Sequence, residues 1–346
     1  MKMRRLISAI IALLLVVNLS VTAFAAEWYL EDGDITVSAG DSGQTVSQGS
    51  STGVADNAPV IKQRDSSKTT DSTITISTSD NATANVTIQD INISSTGDAI
   101  DVGSSSANIT LEGDNKIYSE SGSALHVSDG DVTITGSGSL KAEIGDYEDN
   151  YNDNAKIGSH EDEDMSGKIH ITGSATVTTE DDGEDDFYGG DGAGIGSGYN
   201  GNMSGSITID ENAKVNAFSQ EDGAGIGSGE DGNMSGSITI SGNAQVTAGS
   251  GWDGAGIGAG ESDDDPPKSE MSGTITIGGN AKVTAWSEDS GAGIGAGEDG
   301  DVSGTIIIGG NAQVTAGSDD ESAGIGSGNN GTITSTGRII IRDSAK

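Results

Sequence analysis

The sequence predicts an all-β chain that folds as a right-handed parallel β-helix, with three short strands per coil. The first observation is a repeat: Gly-Ala-Gly-Ile-Gly at 192–196 recurs after 31, 31 and 37 residues, and a variant with serine in first place follows after another 31. The second is an alternation of apolar and polar residues inside each unit. Equal unit lengths with strands at equal offsets are typical of stacked coils, each about 31 residues long in the C-terminal part.

The strands of a unit are read from this alternation. Ile207 and Ile209 flank Thr208, and Val215 and Ala217 follow after a short turn. A period of two indicates strands with one buried face. Together with the Ala-Gly-Ile-Gly segment, these runs give three strands in each coil, and each strand pairs with its equivalent in the neighbouring coils.

The composition fits a thin-cored solenoid. Only 32% of the residues are hydrophobic and 3% are aromatic, while 55 are glycine, a composition that without repeats would favour disorder. Stacked coils need few inward side chains, because each coil buries them against its neighbours. The chain has no cysteine, which excludes disulfides and thiolate metal sites.

The chain is expected to divide into three parts. Residues 1–25 carry Lys2, Arg4 and Arg5, then an apolar run and small residues at a cleavage position, which is typical of a secretory signal peptide. Residues 26–72 are interpreted as an N-terminal cap with the first irregular coils, and 73–346 as β-helix repeats that are regular from about 155. The protein is therefore expected to be extracellular, either freely secreted or associated with a cell surface.

The charge excludes two classes of partner. The formal net charge is −38, and it becomes −41 when the basic signal segment is removed. Such a surface repels nucleic acid and anionic membranes. Neither is expected as a partner.

Acidic residues that recur at one position of the repeat are candidate metal ligands. Asp191, Asp222 and Asp253 each precede Gly-Ala-Gly-Ile at the same offset, so stacking would place their carboxylates in a column about 4.8 Å apart. Carboxylates at that spacing repel one another, and Ca²⁺ is the expected cofactor because it takes oxygen ligands in flexible geometry. The loop 146–154 is a second oxygen-rich segment, with Asp149, Asn152 and Asp153 as candidates. The alternative interpretation is that the acidic loops only keep the protein soluble.

Three aromatic residues are candidate carbohydrate contacts. Phe218 and Trp286 follow the last alanine of the third strand in alternate coils, and Trp252 lies three residues beyond the equivalent Gly249. Outward-pointing rings would form a row against which sugar faces can stack. Alternatively, each ring folds down onto its own loop and shields the strand edge.

Catalysis is not expected. The three histidines, His126, His160 and His170, are scattered among coils, and no serine, histidine and aspartate arrangement has a recognisable spacing. Carboxylates are so abundant that no single pair indicates a glycosidase. The chain is therefore interpreted as a non-enzyme.

The segments 97–102 (Gly-Asp-Ala-Ile-Asp-Val), 109–114, 123–127 and 132–136 resemble the calcium-containing β-helix family of secreted bacterial carbohydrate-binding-domain proteins. The resemblance implies non-catalytic binding of an acidic plant polysaccharide such as polygalacturonate, with Asp98 and Asp101 as calcium positions. The Gly-Ala-Gly-Ile-Gly repeats resemble those in surface proteins of Gram-positive bacteria, where adhesion is the usual presumption.

Three functions are compatible with these patterns. The leading hypothesis is a non-catalytic extracellular module that binds a cell-wall or acidic plant-type polysaccharide with the help of calcium. The alternatives are a structural or adhesive surface protein that recognises host or neighbouring-cell proteins, and a pectin-directed lyase or glycosidase.

Overall fold

The computed structural model describes residues 26–79, 81–145, 152–179, 190–262, 269–320 and 322–346. The predicted signal peptide lies outside these residues, as do Asp149 and the insertions at 180–189 and 263–268. The described part contains strands and one 3₁₀ helix, Leu30–Asp32, and no helix long and apolar enough to cross a membrane.

The chain is a right-handed parallel β-helix, as the sequence predicts. Each C-terminal coil contributes one strand to each of three sheets, in the order Ile195–Gly196, Ser206–Ile209 and Lys214–Ser219 for one coil. We call these the Ile-Gly sheet, the Ile-Thr-Ile sheet and the Val-Ala sheet, after the residues that recur in them.

Two of the sheets run the length of the described solenoid, and the Val-Ala sheet begins at Asn92. The Ile-Gly sheet has twelve strands: Ser51–Ala55, Gly43–Gln48, Ile35–Gly40, Ile74–Thr78, Ile100–Gly103, Leu125–Val127, Ile157–Gly158, Ile195–Gly196, Ile226–Gly227, Ile257–Gly258, Ile294–Gly295 and Ile325–Gly326. The Ile-Thr-Ile sheet has eleven: Glu27–Tyr29, Val60–Lys62, Ala84–Gln89, Ala107–Glu112, Asp131–Gly136, Lys168–Ile171, Ser206–Ile209, Ser237–Ile240, Thr274–Ile277, Thr305–Ile308 and Arg338–Ile341. The Val-Ala sheet has eight: Asn92–Ser95, Asp114–Ser119, Ser139–Ile144, Thr176–Thr178, Lys214–Ser219, Gln245–Ser250, Lys282–Ser287 and Gln313–Ser318.

Equivalent residues of successive units pair directly. Ile195 pairs with Ile226, which pairs with Ile257, so the coil length is 31 residues here. Pairing continues without a shift across the two longer units, from Ile157 to Ile195 and from Ile257 to Ile294. The insertions therefore leave the strand register intact. Coils near the N-terminus are shorter, with 25 residues from Ile100 to Leu125.

The inward residues form one continuous core. The inward isoleucines of the first two sheets and the inward valines and alanines of the third are buried in the regular coils up to Ala312. In the last coil Val314, Ala316 and Ile325 are only partly buried, and Ile339–Ile341 is exposed. Buried methionines form a further column, which was not predicted from the sequence. They pair from coil to coil in the order Met165, Met203, Met234 and Met271. Glu270–Met271 pairs with Asp301–Val302 as a short two-stranded sheet at this corner.

The first coil is closed by an antiparallel element. Ile35–Gly40 pairs with Ile74–Thr78 on one side and with Gly43–Gln48 on the other. Leu30 is buried in the core, and the Trp28 indole donates from Nε1 to Asp56 Oδ2 at 2.9 Å. Antiparallel pairing thus covers one end of the parallel stack.

Candidate metal-binding sites

The loops on either side of the Ile-Gly strands face each other and stack along the axis. The first loop ends with the aspartate column that the sequence predicts. In each step the backbone N–H of one column residue donates to the carboxylate of the preceding coil, with N to Oδ1 distances of 3.5 Å for Asp222 on Asp191, 3.0 Å for Asp253 on Asp222 and 2.8 Å for Ser290 on Asp253. Asp153 heads the column, since its Oδ1 accepts from Asp191 N at 3.3 Å.

A second column, which the sequence reading missed, lies opposite the first. The backbone N–H of Glu230 donates to the carbonyl of Asp191, and Glu261 and Glu298 do the same to Asp222 and Asp253, with distances of 3.0, 2.9 and 2.8 Å. These glutamates follow the Ile-Gly strand at a constant offset. We call the two rows together the carboxylate columns: Asp153, Asp191, Asp222 and Asp253 in one row, and Glu230, Glu261 and Glu298 in the other.

The acidic side chains of the columns lie close enough together to raise one another's pKa values. Burial, and then the carboxylates of Asp191 and Asp222, raise the pKa of Glu230 far above its ordinary range. Burial and a hydrogen bond to Asp222 do the same to the pKa of Glu261. The pKa of Asp191 is also raised, by burial and by Asp222. In the absence of a cation, Glu230 and Glu261 therefore hold their protons to a higher pH than ordinary glutamates and share hydrogen bonds with the aspartates opposite them.

Two groups of carboxylates have the spacing of a cation site, one within the columns and one that adds the neighbouring Glu221. Oxygen atoms of Asp191, Glu221 and Asp222 lie within 4.8 Å of one another, and so do those of Asp222, Asp253 and Glu261. Asp222 belongs to both groups, so adjacent sites would share it. Carboxylate oxygens in this arrangement suit Ca²⁺, which accepts both mono- and bidentate ligands.

Asn152 and Asp153 are placed differently from each other. Asn152 is buried; it donates from Nδ2 to the Gly122 carbonyl, and its Oδ1 accepts from Asn154 Nδ2 at 2.6 Å. Its amide thus ties two coils together. Asp153 belongs to the carboxylate columns, and Asp149 lies outside the described residues.

Asp98 and Asp101 lie in a different cluster, together with two of the histidines. His126 and His160 stack with ring centroids 3.9 Å apart and planes 9° from parallel. Asp98 Oδ1 lies 2.8 Å from His160 Nε2, and Asp101 Oδ1 lies 3.0 Å from His126 Nδ1. Glu163 Oε2 lies 2.9 Å from His126 Nε2. We call these five residues the His-carboxylate cluster.

The electrostatics of this cluster favour a charged imidazole. Burial by itself would lower the pKa of His126, but hydrogen bonds to Asp101 and Glu163 outweigh burial and raise it to about 9. Without another cation, His126 carries a proton at neutral pH. The histidines that were interpreted as scattered are thus brought together by the coil register, except His170, which pairs with Asp210 at 3.1 Å elsewhere.

The three candidate aromatic residues are only partly exposed to solvent. Trp286 tilts over Gly249 of the preceding coil and meets Phe218, with ring centroids 6.3 Å apart. Both rings are half-buried. Trp252 is 42% exposed and directly precedes Asp253 of the carboxylate columns.

A family model matches this part of the chain. A beta helix repeat model matches residues 207–230, 238–261 and 275–298. Each matched segment begins on an Ile-Thr-Ile strand and ends at a glutamate of the carboxylate columns. No curated protein and no solved structure matched the chain. The repeat match supports the architecture and is compatible with carbohydrate-binding or pectin-related proteins.

Proposed function

We propose that the protein is a non-catalytic extracellular module that binds an acidic polysaccharide through calcium ions held in the carboxylate columns. The observation that carries this proposal is the pair of facing columns, which run along the axis with one step per coil and have the exposed Trp252 at their edge. Polygalacturonate is the polymer of choice for a test, because it has regularly spaced carboxylates.

Calcium ions supply the positive charge that both the protein and the polymer lack. Protein and polymer are both anionic, so direct contact between them is repulsive. A calcium ion takes six to eight oxygen ligands, so an ion held by two or three protein carboxylates retains positions for carboxylates of the polymer. Several such ions in a row would let one polymer chain engage several coils, and the effective concentration of each further contact is then high.

The first experiment compares retention of the secreted chain on immobilised polygalacturonate with calcium and with chelator. We expect retention only with calcium, and an affinity that rises steeply with oligogalacturonide length because neighbouring coils act together. Equal retention in chelator, or none in either buffer, would contradict the proposal.

A matched pair of variants separates the columns from net charge. Asp191→Asn, Asp222→Asn and Asp253→Asn combined should abolish calcium-dependent retention. The control combines Glu112→Gln, Glu211→Gln and Asp319→Asn, which removes three exposed acids outside the columns and should retain binding. An equal loss in both would show that only bulk charge matters.

The same samples test the absence of catalysis. We expect neither new reducing ends nor unsaturated products after long incubation with pectin or polygalacturonate. Appearance of either product would favour a lyase or glycosidase instead.

A further inference from the structure

We propose that the His-carboxylate cluster is a site for one divalent transition-metal ion such as Zn²⁺, with Asp98, His126 and His160 as ligands and Glu163 as a positioning residue for His126. The site is separate from the carboxylate columns, and it does not depend on polysaccharide binding.

The ligand atoms converge on one point. A carboxylate oxygen of Asp98 and one ring nitrogen from each histidine lie within 4.8 Å of one another. His160 Nε2 is 2.8 Å from Asp98 Oδ1, and His126 Nδ1 is 3.7 Å from Asp98 Oδ2. Asp98 therefore lies between two nitrogens that can be deprotonated, and Asp101 is adjacent to His126 Nδ1 as a further oxygen donor.

The chemistry of the donors selects the class of metal. Imidazole nitrogen suits zinc, copper, nickel and iron, whereas calcium is bound by oxygen ligands. Two imidazoles with one carboxylate are the donor set of several protein zinc sites. The cluster is thus better matched to a transition metal than to the calcium that the family resemblance implies for Asp98 and Asp101.

The contacts around the ligands already resemble those of a metal site. His126 Nε2 lies 2.9 Å from Glu163 Oε2, so Nδ1, which faces Asp98 and Asp101, is the nitrogen that would coordinate the ion. Carboxylates that accept from the far nitrogen of a ligating histidine fix its tautomer and orientation. Asp98 Oδ1 is fixed as well, because it accepts from the backbone N–H of Ser123 at 2.8 Å.

Glycines make room for the carboxylates. A Cβ on Gly122 would lie 2.4 Å from Asp98 Oδ1, and one on Gly103 would lie 3.4 Å from Asp101 Oδ1. Any other residue at Gly122 would displace the Asp98 side chain. The local backbone thus holds the space that this ligand occupies.

The location gives such an ion a structural role. Asp98, His126 and His160 come from three successive coils, whose Ile-Gly strands pair as Ile100 with Leu125 and Leu125 with Ile157. The spacing changes there from 25 to 32 residues per coil. One ion would link the narrow coils to the wide ones at the point where the repeat is least regular.

The experiment uses the full secreted chain after removal of metals. Titration with Co²⁺ should give one equivalent of binding, with the intense visible absorption of a low-coordinate site, and Zn²⁺ but not Ca²⁺ should displace it. His160→Ala should abolish this binding and His170→Ala should not, while Glu163→Gln should weaken affinity about 10- to 100-fold. No stoichiometric Co²⁺ binding, or an equal loss in His170→Ala, would overturn the proposal.

A second measurement does not depend on any variant folding correctly. In the unmodified protein, nitrogen NMR shifts of His126 Nδ1 and His160 Nε2 should move to values typical of metal-bound imidazole when one equivalent of Zn²⁺ is added, while those of His170 stay constant. Unchanged shifts at His126 and His160 would mean that the cluster is a metal-free ion pair network.

Discussion

At the scale of single residues, the glycines of the repeat are explained by close approach of backbones. Gly227 has φ +149°, and a Cβ there would lie 1.7 Å from the carbonyl oxygen of Gly258 in the next coil. Gly225 is also constrained, because a Cβ there would lie 2.6 Å from the backbone N of Gly249. The Gly-Ala-Gly-Ile-Gly motif therefore marks a place where the coil is flattened, and it is a structural signature before it is a functional one.

A substitution at Gly227 tests this explanation. Gly227→Ala combines an unfavourable φ with a backbone clash and should lower the free energy of unfolding by about 3 kcal/mol or more. Gly317→Ala is the control, since no atom lies within 4 Å of its Cβ position, and its effect should stay near zero. Urea unfolding followed by circular dichroism measures both. Similar losses in the two variants would mean that the motif is not set by backbone contact.

Trp252 is the aromatic residue whose position best fits sugar contact. It is more exposed than the Phe218–Trp286 pair and adjoins Asp253. Contacts between two aromatic rings contribute about 0.5–1.5 kcal/mol. If a sugar face contributes a similar amount, Trp252→Ala should weaken oligogalacturonide binding roughly 2- to 10-fold while calcium affinity stays constant. Calorimetry with each ligand separates the two effects. A loss of calcium affinity would show instead that the indole supports the loop.

At the scale of elements, identical side chains form ladders along the axis. Asn212, Asn243, Asn280 and Asn311 occupy one turn position, and the Nδ2 of each of the last three donates to the Oδ1 of the asparagine before it at 3.1 Å. Such amide ladders are known from cross-β structures, and the recurrence of asparagine at one position of the repeat is the sequence feature that produces this one. The ladder adds a polar outer row to the apolar inner rows of isoleucine and methionine.

The ladder predicts an effect that depends on position. Asn243 both donates and accepts within the ladder, whereas Asn212 only accepts there. At about 0.5–1.5 kcal/mol per hydrogen bond, Asn243→Ala should destabilise the protein about twice as much as Asn212→Ala. Thermal unfolding of both variants at constant pH measures the ratio. Equal effects would assign the asparagines to turn formation and not to the ladder.

Strand register was predictable from the sequence, while most loop contacts were not. Repeats of Ile-Thr-Ile fix which residues stack, so the column of Asp191, Asp222 and Asp253 follows from spacing. The facing glutamates follow Ile-Gly at a constant offset and could have been found in the same way. The stacking of His126 on His160 was not predictable, because these residues lie in coils of different length and a constant repeat spacing does not align them. Trp286 can tilt over Gly249 because Gly249 has no side chain. The sequence alone left open whether this ring points outward or folds down onto the neighbouring loop.

At the scale of the whole molecule, stability and charge are coupled through the columns. The core is thin, with at most three inward side chains in most strands, and the net charge is −38. Stacking places like charges at about 4.8 Å steps, because β-sheet hydrogen bonds leave no other spacing. The fold therefore concentrates repulsion between carboxylates along one edge of the solenoid, and bound protons or cations must offset this repulsion.

This coupling determines how the metal-free protein responds to pH. Glu230 and Glu261 have raised pKa values in the folded chain, so between their ordinary range and the raised values the folded state binds more protons than the unfolded state. His126 acts in the same direction, since its pKa rises from 6.5 to about 9. Stability contributed by such groups is present at low pH and is lost as pH rises. With chelator present, the melting temperature should therefore fall steadily from pH 5 to pH 9.

Calcium should reverse that trend, because cations replace the protons of the columns most readily once these are dissociated. A ligand that binds only the folded state raises the melting temperature with its concentration, and the increase should be larger at pH 8 than at pH 5. Asp191→Asn, Asp222→Asn and Asp253→Asn combined should flatten both the pH dependence and the calcium dependence, since the repulsion and the ligands disappear together. Differential scanning calorimetry across this pH range measures both slopes. A melting temperature that rises with pH in chelator would show that the columns are already compensated by other groups of the chain.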